Sequence, residues 1–299
     1  MAGKGGVGKT TVTAAIARAA ADEGRSVLVV SIDGRPGLGE LLGGTPLVYE
    51  PTVLRPGGGA VGEISGCALR ADAALMDYLD LRGMGRVTKK FVAAGAIDLL
   101  ATTTPGIKDL LVLGKVKQLQ IGDAADLIVV DAPAAGHAIT FLRTAASLRE
   151  IVPTGPVRQQ SDEVLAMLSD PTRCQVVLVT LPEETPVNEL VEVAFDLEDE
   201  VGVALAPIVV NGCWDSLDPE LDVEAIAGLD GLAPEDAAAL TATARRIERT
   251  VAAQHQQIER LAGQLPLPHV HLPARFSTRL DDRDLAALAA AIATEPVPG

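Results

Sequence analysis

Residues 3–10, GKGGVGKT, have the types and spacing that bind phosphate. They satisfy in full the pattern GxxxxGK followed by Ser or Thr. The glycines let the backbone curl so that successive N–H groups point at phosphate oxygens. Lys9 is suited to neutralise the β- and γ-phosphates, and the Thr10 hydroxyl to bind Mg²⁺. We therefore expect ATP and Mg²⁺ as cofactors, and these residues as nucleotide contacts: Gly5, Gly6, Val7, Gly8, Lys9, Thr10 and Thr11.

A helix is predicted directly after this loop, over residues 11 to about 22, with its positive dipole end towards the phosphates. Further on, β-branched runs alternate with Ala- and Leu-rich segments, which is typical of a doubly wound, mainly parallel α/β sheet. The predicted strands cover residues 26–33, 126–131, 175–181 and 204–211, with weaker candidates at 63–69 and 269–272.

Three polar residues stand where apolar strands stop, namely Asp33, Asp131 and Asn211. Ligands of open α/β sheets lie beyond the carboxyl ends of the strands. We therefore expect these side chains at the site. Each aspartate has an alternative interpretation, because a carboxylate at a strand end often caps the following helix instead.

Lys4 narrows the class of phosphate-loop protein that the sequence indicates. The run KGGVGKTT resembles the deviant phosphate-binding loop of the septum-site and partition ATPases, the nitrogenase iron protein, and the arsenite-pump and tail-anchor-targeting ATPases. The resemblance implies that Lys4 reaches across a dimer interface to the partner's nucleotide. A second cation there would stabilise the charge that develops as the γ-phosphoryl group leaves, so Lys4 joins Lys9 and Asp33 as a predicted catalytic residue.

A second segment selects among these relatives. Residues 131–145, DAPAAGHAITFLRTA, are similar to the DTAPTGHTxRLL signature of the arsenite-pump and tail-anchor-targeting family. Residues 104–119, TPGIKDLLVLGKVKQL, are similar to the helical region of that family. Most of the chain shares the resemblance, which is strongest to a bacterial, actinobacterial branch. It implies a P-loop NTPase fold.

The resemblance also implies roles for individual residues. Asp33 would orient the attacking water, and Asp131 would hold Mg²⁺ through a water. Gly136 would donate its N–H to the γ-phosphate. Asn211 would read the adenine edge, and the loop around Pro273 would close over the base. Around Asp33 the sequence reads DGRPGLG where the family has DPAHxL, which keeps open a nucleotide-binding regulatory subunit with little turnover.

Expected partners follow from the same comparison. One nucleotide-binding half implies a second subunit, either a copy or a paralogous ATPase, with ATP and ADP as ligands and a hydrophobic client or a membrane partner. The cysteines, Cys67, Cys174 and Cys213, form no CxxC pair, so neither a zinc-bridged dimer nor an arsenical-binding cluster is expected.

Composition excludes other classes. The net charge is −15 and aromatic residues make up 2% of the chain, so we expect no nucleic acid partner. No signal peptide and no apolar run near the ~18–20 residues of a membrane span is present, which predicts a cytoplasmic protein. A partition- or septum-type positioning ATPase is the alternative, but residues 281–299 are acidic rather than basic and amphipathic.

Residues 1–299 are predicted to form a single domain with a helical insertion over roughly 71–120. A long helix is predicted over 234–265, with a polar step near Gln254. Only Met1 and Ala2 precede Gly3, whereas folds of this type place a strand of about five residues before the phosphate loop. We therefore predict that this first strand is missing, with the natural start upstream or the chain truncated.

Overall fold

The structure, a computed structural model, describes residues 1–32, 37–81, 83, 106–133, 135–218, 223–228 and 232–294. Its helices are arranged around a central, mainly parallel sheet. Its strands, in chain order, are β1 (Val27–Ile32), β2 (Thr52–Arg55), β3 (Ile64–Leu69), β4 (Leu127–Asp131), β5 (Gln175–Val176), β6 (Val179–Thr180), β7 (Ala204–Leu205), β8 (Ile208–Cys213) and β9 (His269–Pro273). The α-helices are α1 (Lys9–Asp22), α2 (Leu38–Leu41), α3 (Ala71–Leu81), α4 (Ile107–Ile121), α5 (Ala135–Ile151), α6 (Pro156–Leu168), α7 (Glu184–Asp196), α8 (Pro234–Gln264) and α9 (Asp282–Thr294).

The strands pair in three groups. One group has the order β2-β3-β1-β4, another pairs β5 with β7, and the third has the order β6-β8-β9. All of these pairs are parallel except β2 with β3. The predicted α/β fold with a mainly parallel sheet is therefore confirmed.

Met1 and Ala2 lie between the first group and the other two. The Ala2 N–H donates to the Val177 carbonyl at 2.9 Å, and the Val179 N–H donates to the Ala2 carbonyl at 2.8 Å. On the other side, the Met1 nitrogen donates to the Val130 carbonyl at 2.8 Å. These two residues thus occupy the place where a strand before the phosphate loop would lie. The upstream start stays a prediction.

Helices cover both faces of the sheet. Along β1, Val27 and Val29 pack into a core with α1 and α9, whereas Leu28 and Val30 pack into a core with α4, α5, α6 and α7. Every β1 residue is buried, as a strand covered on both faces requires. The carboxyl ends of the parallel strands are thereby held at one rigid edge.

Three predicted elements differ in detail. The strand predicted over 204–211 is split before β8, because Pro207 has no N–H to donate to a ladder. The strand predicted over 175–181 is split into β5 and β6, because β5 pairs with β7 and β6 with β8. On its other edge, Val177 and Val179 bond to Ala2. Helix α1 begins two residues earlier than predicted, at Lys9.

The antiparallel edge strand β2 and the 3₁₀ turn Ala225–Gly228 had no counterpart in the sequence prediction. Helices α3 and α4 fall within the stretch predicted as a helical insertion, and part of that stretch lies outside the described residues. The insertion and the single-domain assignment stay predictions.

Candidate nucleotide-binding site

The phosphate loop leads directly into α1. Within the loop, Lys9 Nζ donates to the Gly3 carbonyl at 2.9 Å and to the Lys4 carbonyl at 2.8 Å. These two hydrogen bonds fix the position of the lysine ammonium group. No side chain caps the amino end of α1, so its first backbone N–H groups are available to an anion. Gly5 and Gly6 are exposed, and a Cβ atom on either would meet no atom within 4 Å. The loop is therefore open to a phosphate chain.

A hydrogen-bonded pair of oxygen groups lies at the end of this loop. The Thr10 hydroxyl donates to Asp131 Oδ2 at 2.7 Å, across 121 residues of sequence. Asp131 is the last residue of β4 and is buried. Its neighbour in register on β1 is Ser31, whose buried hydroxyl has no hydrogen-bond partner among the described residues. Oxygen donors of this kind, with an unsatisfied hydroxyl beside them, fit Mg²⁺, which binds through one or two protein oxygens and keeps several waters.

Asn211 fastens the end of β8 to the same loop. Its Nδ2 donates to the Val7 carbonyl at 2.9 Å. Gly8 makes this contact possible, because its φ is +89° and a Cβ atom there would lie 2.3 Å from Asn211 Nδ2. The structure therefore brings Gly8, Asn211 and the loop together, with the Asn211 amide on the loop backbone.

Lys4 pairs with a helix of its own chain. Its Nζ lies 2.6 Å from Oε1 of Glu189, on α7, and both side chains are more than a third exposed. An ion pair this accessible contributes little to stability, roughly 0–1 kcal/mol, and exchanges readily with another anion. Lys4 is thus on the surface beside the loop, held by a carboxylate 185 residues away.

The remaining predicted residues have simpler placements. Thr11 lies in the first turn of α1, and Gly136 in the first turn of α5, just after β4. Pro273 ends β9 and pairs in register with Cys213 at the end of β8. Asp33 lies outside the described residues.

Two residues near the candidate site, Glu189 and Ser31, were not predicted from the sequence. Glu189 has no local signal, since it belongs to an ordinary amphipathic helix far from the loop. Ser31 could have been noticed as the one hydroxyl in an otherwise apolar strand, β1. Strand-alternation reasoning would have placed it on the same sheet face as Val29.

The phosphate loop, the Thr10–Asp131 pair and Asn211 of β8 together define a P-loop protein. The sequence profile of a family described as anion-transporting ATPase (ArsA ATPase) matches residues 1–155. The chain belongs to this family of ATPases, as its sequence predicted.

Characterised relatives are similar over a large part of the chain. ATPase BagA of Mycobacterium tuberculosis is 32% identical over 216 residues, which cover 70% of this chain and 63% of that protein. An arsenical pump-driving ATPase of Escherichia coli is 30% identical over 200 residues, covering 66% of this chain and 31% of that protein. The matched region thus spans less than two thirds of the length of these relatives.

The described part of the chain contains neither a membrane-spanning helix nor a cluster of metal ligands. None of its helices combines the length and the apolar character that crossing a bilayer requires. None of its His, Cys, Asp and Glu side chains gather in threes or more to hold a metal. A magnesium site of the type above needs no such cluster.

Proposed function

We propose that this chain is a Mg²⁺-dependent ATPase whose nucleotide cycle opens and closes a dimer. The single observation that carries the proposal is the Thr10–Asp131 hydrogen bond at 2.7 Å. It joins the phosphate loop to the end of β4. The metal ion that hydrolysis of a loop-bound triphosphate requires would bind there.

The loop residues would hold the triphosphate. Backbone N–H groups from Gly5 to Thr10 face the β- and γ-phosphates, and Lys9 leaves the Gly3 and Lys4 carbonyls to donate to phosphate oxygens. The Thr10 hydroxyl and, through a water, the Asp131 carboxylate would hold Mg²⁺. When bound there, Mg²⁺ would supply positive charge that offsets the charge of the phosphates.

Three further residues complete this proposal. Asp33 orients the water that attacks the γ-phosphorus. Gly136, at the start of α5, donates its N–H to the γ-phosphate, so loss of that phosphate would be transmitted to α5. On the β8–β9 side of the phosphate loop, Asn211 reads the edge of the adenine base, and the loop around Pro273 closes over that base.

The dimer is proposed from the position of Lys4. Because the Lys4–Glu189 pair is accessible, Lys4 can exchange Glu189 for the phosphates of a second subunit's ATP. Hydrolysis would then require association, with either a copy of the chain or a paralogous ATPase. The family description, anion-transporting ATPase, and the arsenical pump-driving relative support coupling to an anion or to a membrane partner. A hydrophobic client is proposed from the sequence resemblance alone.

ATP hydrolysis in the presence of Mg²⁺ tests the proposal directly. We expect the wild type to hydrolyse ATP, and Lys9→Ala, Asp131→Asn and Asp33→Asn to be slower by about 100-fold or more, since each removes charge or orientation at the reacting phosphate. Glu192→Gln, an exposed carboxylate on α7, is the matched control and should keep the wild-type rate.

Binding separates this proposal from the second candidate. A wild type that binds ATP but hydrolyses it no faster than Asp33→Asn would contradict the ATPase and support a nucleotide-binding regulatory subunit. The DGRPGLG sequence around Asp33 is the observation that favours that candidate.

A further inference from the structure

An aromatic pair, half-buried Trp214 and exposed Phe276, lies beyond the ends of β8 and β9. The rings of Trp214 and Phe276 meet edge to face, with centroids 5.0 Å apart and planes at 89°. Phe276 is 77% exposed. Among the described residues, Phe276 is the most exposed of the large hydrophobic side chains.

The backbone under both rings is anchored. The Trp214 N–H donates to Gln254 Oε1 at 2.8 Å. The Ala274 N–H donates to the Cys213 carbonyl at 2.7 Å, which ties the exit of β9 to that of β8. The backbone that carries both rings is therefore fixed where β8 and β9 end.

The two neighbours of Phe276 are anchored as well. Arg275 Nε and Ser277 Oγ each donate to the Asp284 carboxylate at 2.9 Å. These two hydrogen bonds, first that of Ser277 and then that of Arg275, lower the pKa of Asp284. Asp284 is thus a charged anchor at neutral pH, and Phe276 is presented between two fixed residues.

The pair also lies on a defined side of the phosphate loop. Asn211, three residues before Trp214, contacts Val7 of the loop. On the opposite side of the loop, β4 ends in Asp131, whose carboxylate suits a metal and not an apolar ring. Asn211 thus places the exits of β8 and β9, with the aromatic pair that they carry, on the side of the loop away from Asp131.

We propose that Phe276 and Trp214 form a stacking platform for the base of the bound nucleotide. This inference rests on the proposed nucleotide site and assigns it two further binding residues. Every base has a π-face, so stacking gives affinity for a nucleoside triphosphate over an inorganic polyphosphate of the same charge. Specificity for adenine would come from other groups.

Affinities for ATP and for inorganic tripolyphosphate, measured by calorimetry with Mg²⁺, test the platform. We expect Phe276→Ala to weaken ATP binding about tenfold and to leave tripolyphosphate binding unchanged. Phe276→Tyr, which keeps the ring, should restore ATP affinity. Phe195→Ala is the matched control, since Phe195 is a half-exposed phenylalanine at the end of α7.

Trp214 is the only tryptophan, so its fluorescence reports on the pair alone. We expect ATP to change its emission and tripolyphosphate to leave it unchanged. ATP affinity that is the same in Phe276→Ala and wild type would overturn the platform while leaving the proposed function intact. Equal losses for ATP and tripolyphosphate would also overturn it, since they indicate a structural role. A wild type that binds neither ligand would refute the nucleotide site itself.

Discussion

Gly8 meets two requirements that no other residue type satisfies. Its φ of +89° belongs to the left-handed region, where a Cβ atom is strained. Its missing side chain leaves room for Asn211 Nδ2, which would lie 2.3 Å from a Cβ atom. The first property turns the chain into α1, and the second lets β8 fasten the loop. Both the local turn and a distant strand depend on the same residue.

We therefore expect Gly8→Ala to lower the free energy of unfolding by about 2 kcal/mol in the absence of nucleotide. Left-handed strain costs about 1–2 kcal/mol, and the displaced Asn211–Val7 hydrogen bond about 1 kcal/mol. Urea denaturation measures the change. Gly5→Ala is the control, because Gly5 has no positive φ and open space at its Cβ position. A Gly8→Ala protein as stable as Gly5→Ala would contradict the argument.

The residues of the site differ in how far the sequence reveals them. The phosphate loop was predictable because its chemistry is contained in consecutive residues. Asp131 was predictable because an apolar strand ends there, and the structure places it on Thr10. Glu189 was not predictable, since nothing in α7 indicates that Lys4 will be its neighbour. A partner that only tertiary packing supplies leaves no local pattern.

At the scale of elements, α8 shows how a polar interruption stabilises a helix contact. Val251 and Leu261 of α8 are buried. Gln254 lies between them and is buried too. Its Oε1 accepts from the Trp214 N–H at 2.8 Å, and its Nε2 donates to the Gly212 carbonyl at 3.1 Å. The polar step in the sequence is thus the residue that joins α8 to the exit of β8.

Gln254→Ala should accordingly lower the free energy of unfolding by about 1–3 kcal/mol, because two backbone groups lose their partners in a poorly hydrated place. Gln256→Ala, an exposed glutamine on the same helix, should stay within about 0.5 kcal/mol of the wild type. Both are measured by urea denaturation. Equal stability of the two variants would show that water replaces the Gln254 contacts.

Elements were predicted well where one pattern decides them and less well where neighbours do. The 31-residue helix α8 ends one residue before its predicted end, because its period persists over many turns. The strand predicted over 175–181 is interrupted where its neighbour changes from β7 to β8, while Ala2 bonds along its other edge. Such pairings depend on which segment lies alongside, and the strand sequence itself does not specify it.

At the scale of the whole molecule, the proposed dimer depends on whether Lys4 acts within its own chain or across an interface. In this chain it contacts Glu189, on the surface. Lys9 points into its own loop, where it is buried. The two lysines therefore belong to different sites if Lys4 acts on a partner's ATP, and to the same site if it does not. Variants of each, mixed together, distinguish these arrangements.

We expect Lys4→Ala and Lys9→Ala each to be inactive alone and to regain activity when mixed. In a mixed dimer the Lys4→Ala subunit keeps its own Lys9 and receives Lys4 from the other subunit, so one of the two sites is complete. With random pairing half of the dimers are mixed, which gives about a quarter of the wild-type ATPase rate. Replacing the Lys9→Ala protein by a Lys4→Ala, Lys9→Ala double variant removes the donated lysine and should abolish the recovery. Activity no greater than that of the separate variants would contradict a homodimer in which Lys4 acts across the interface.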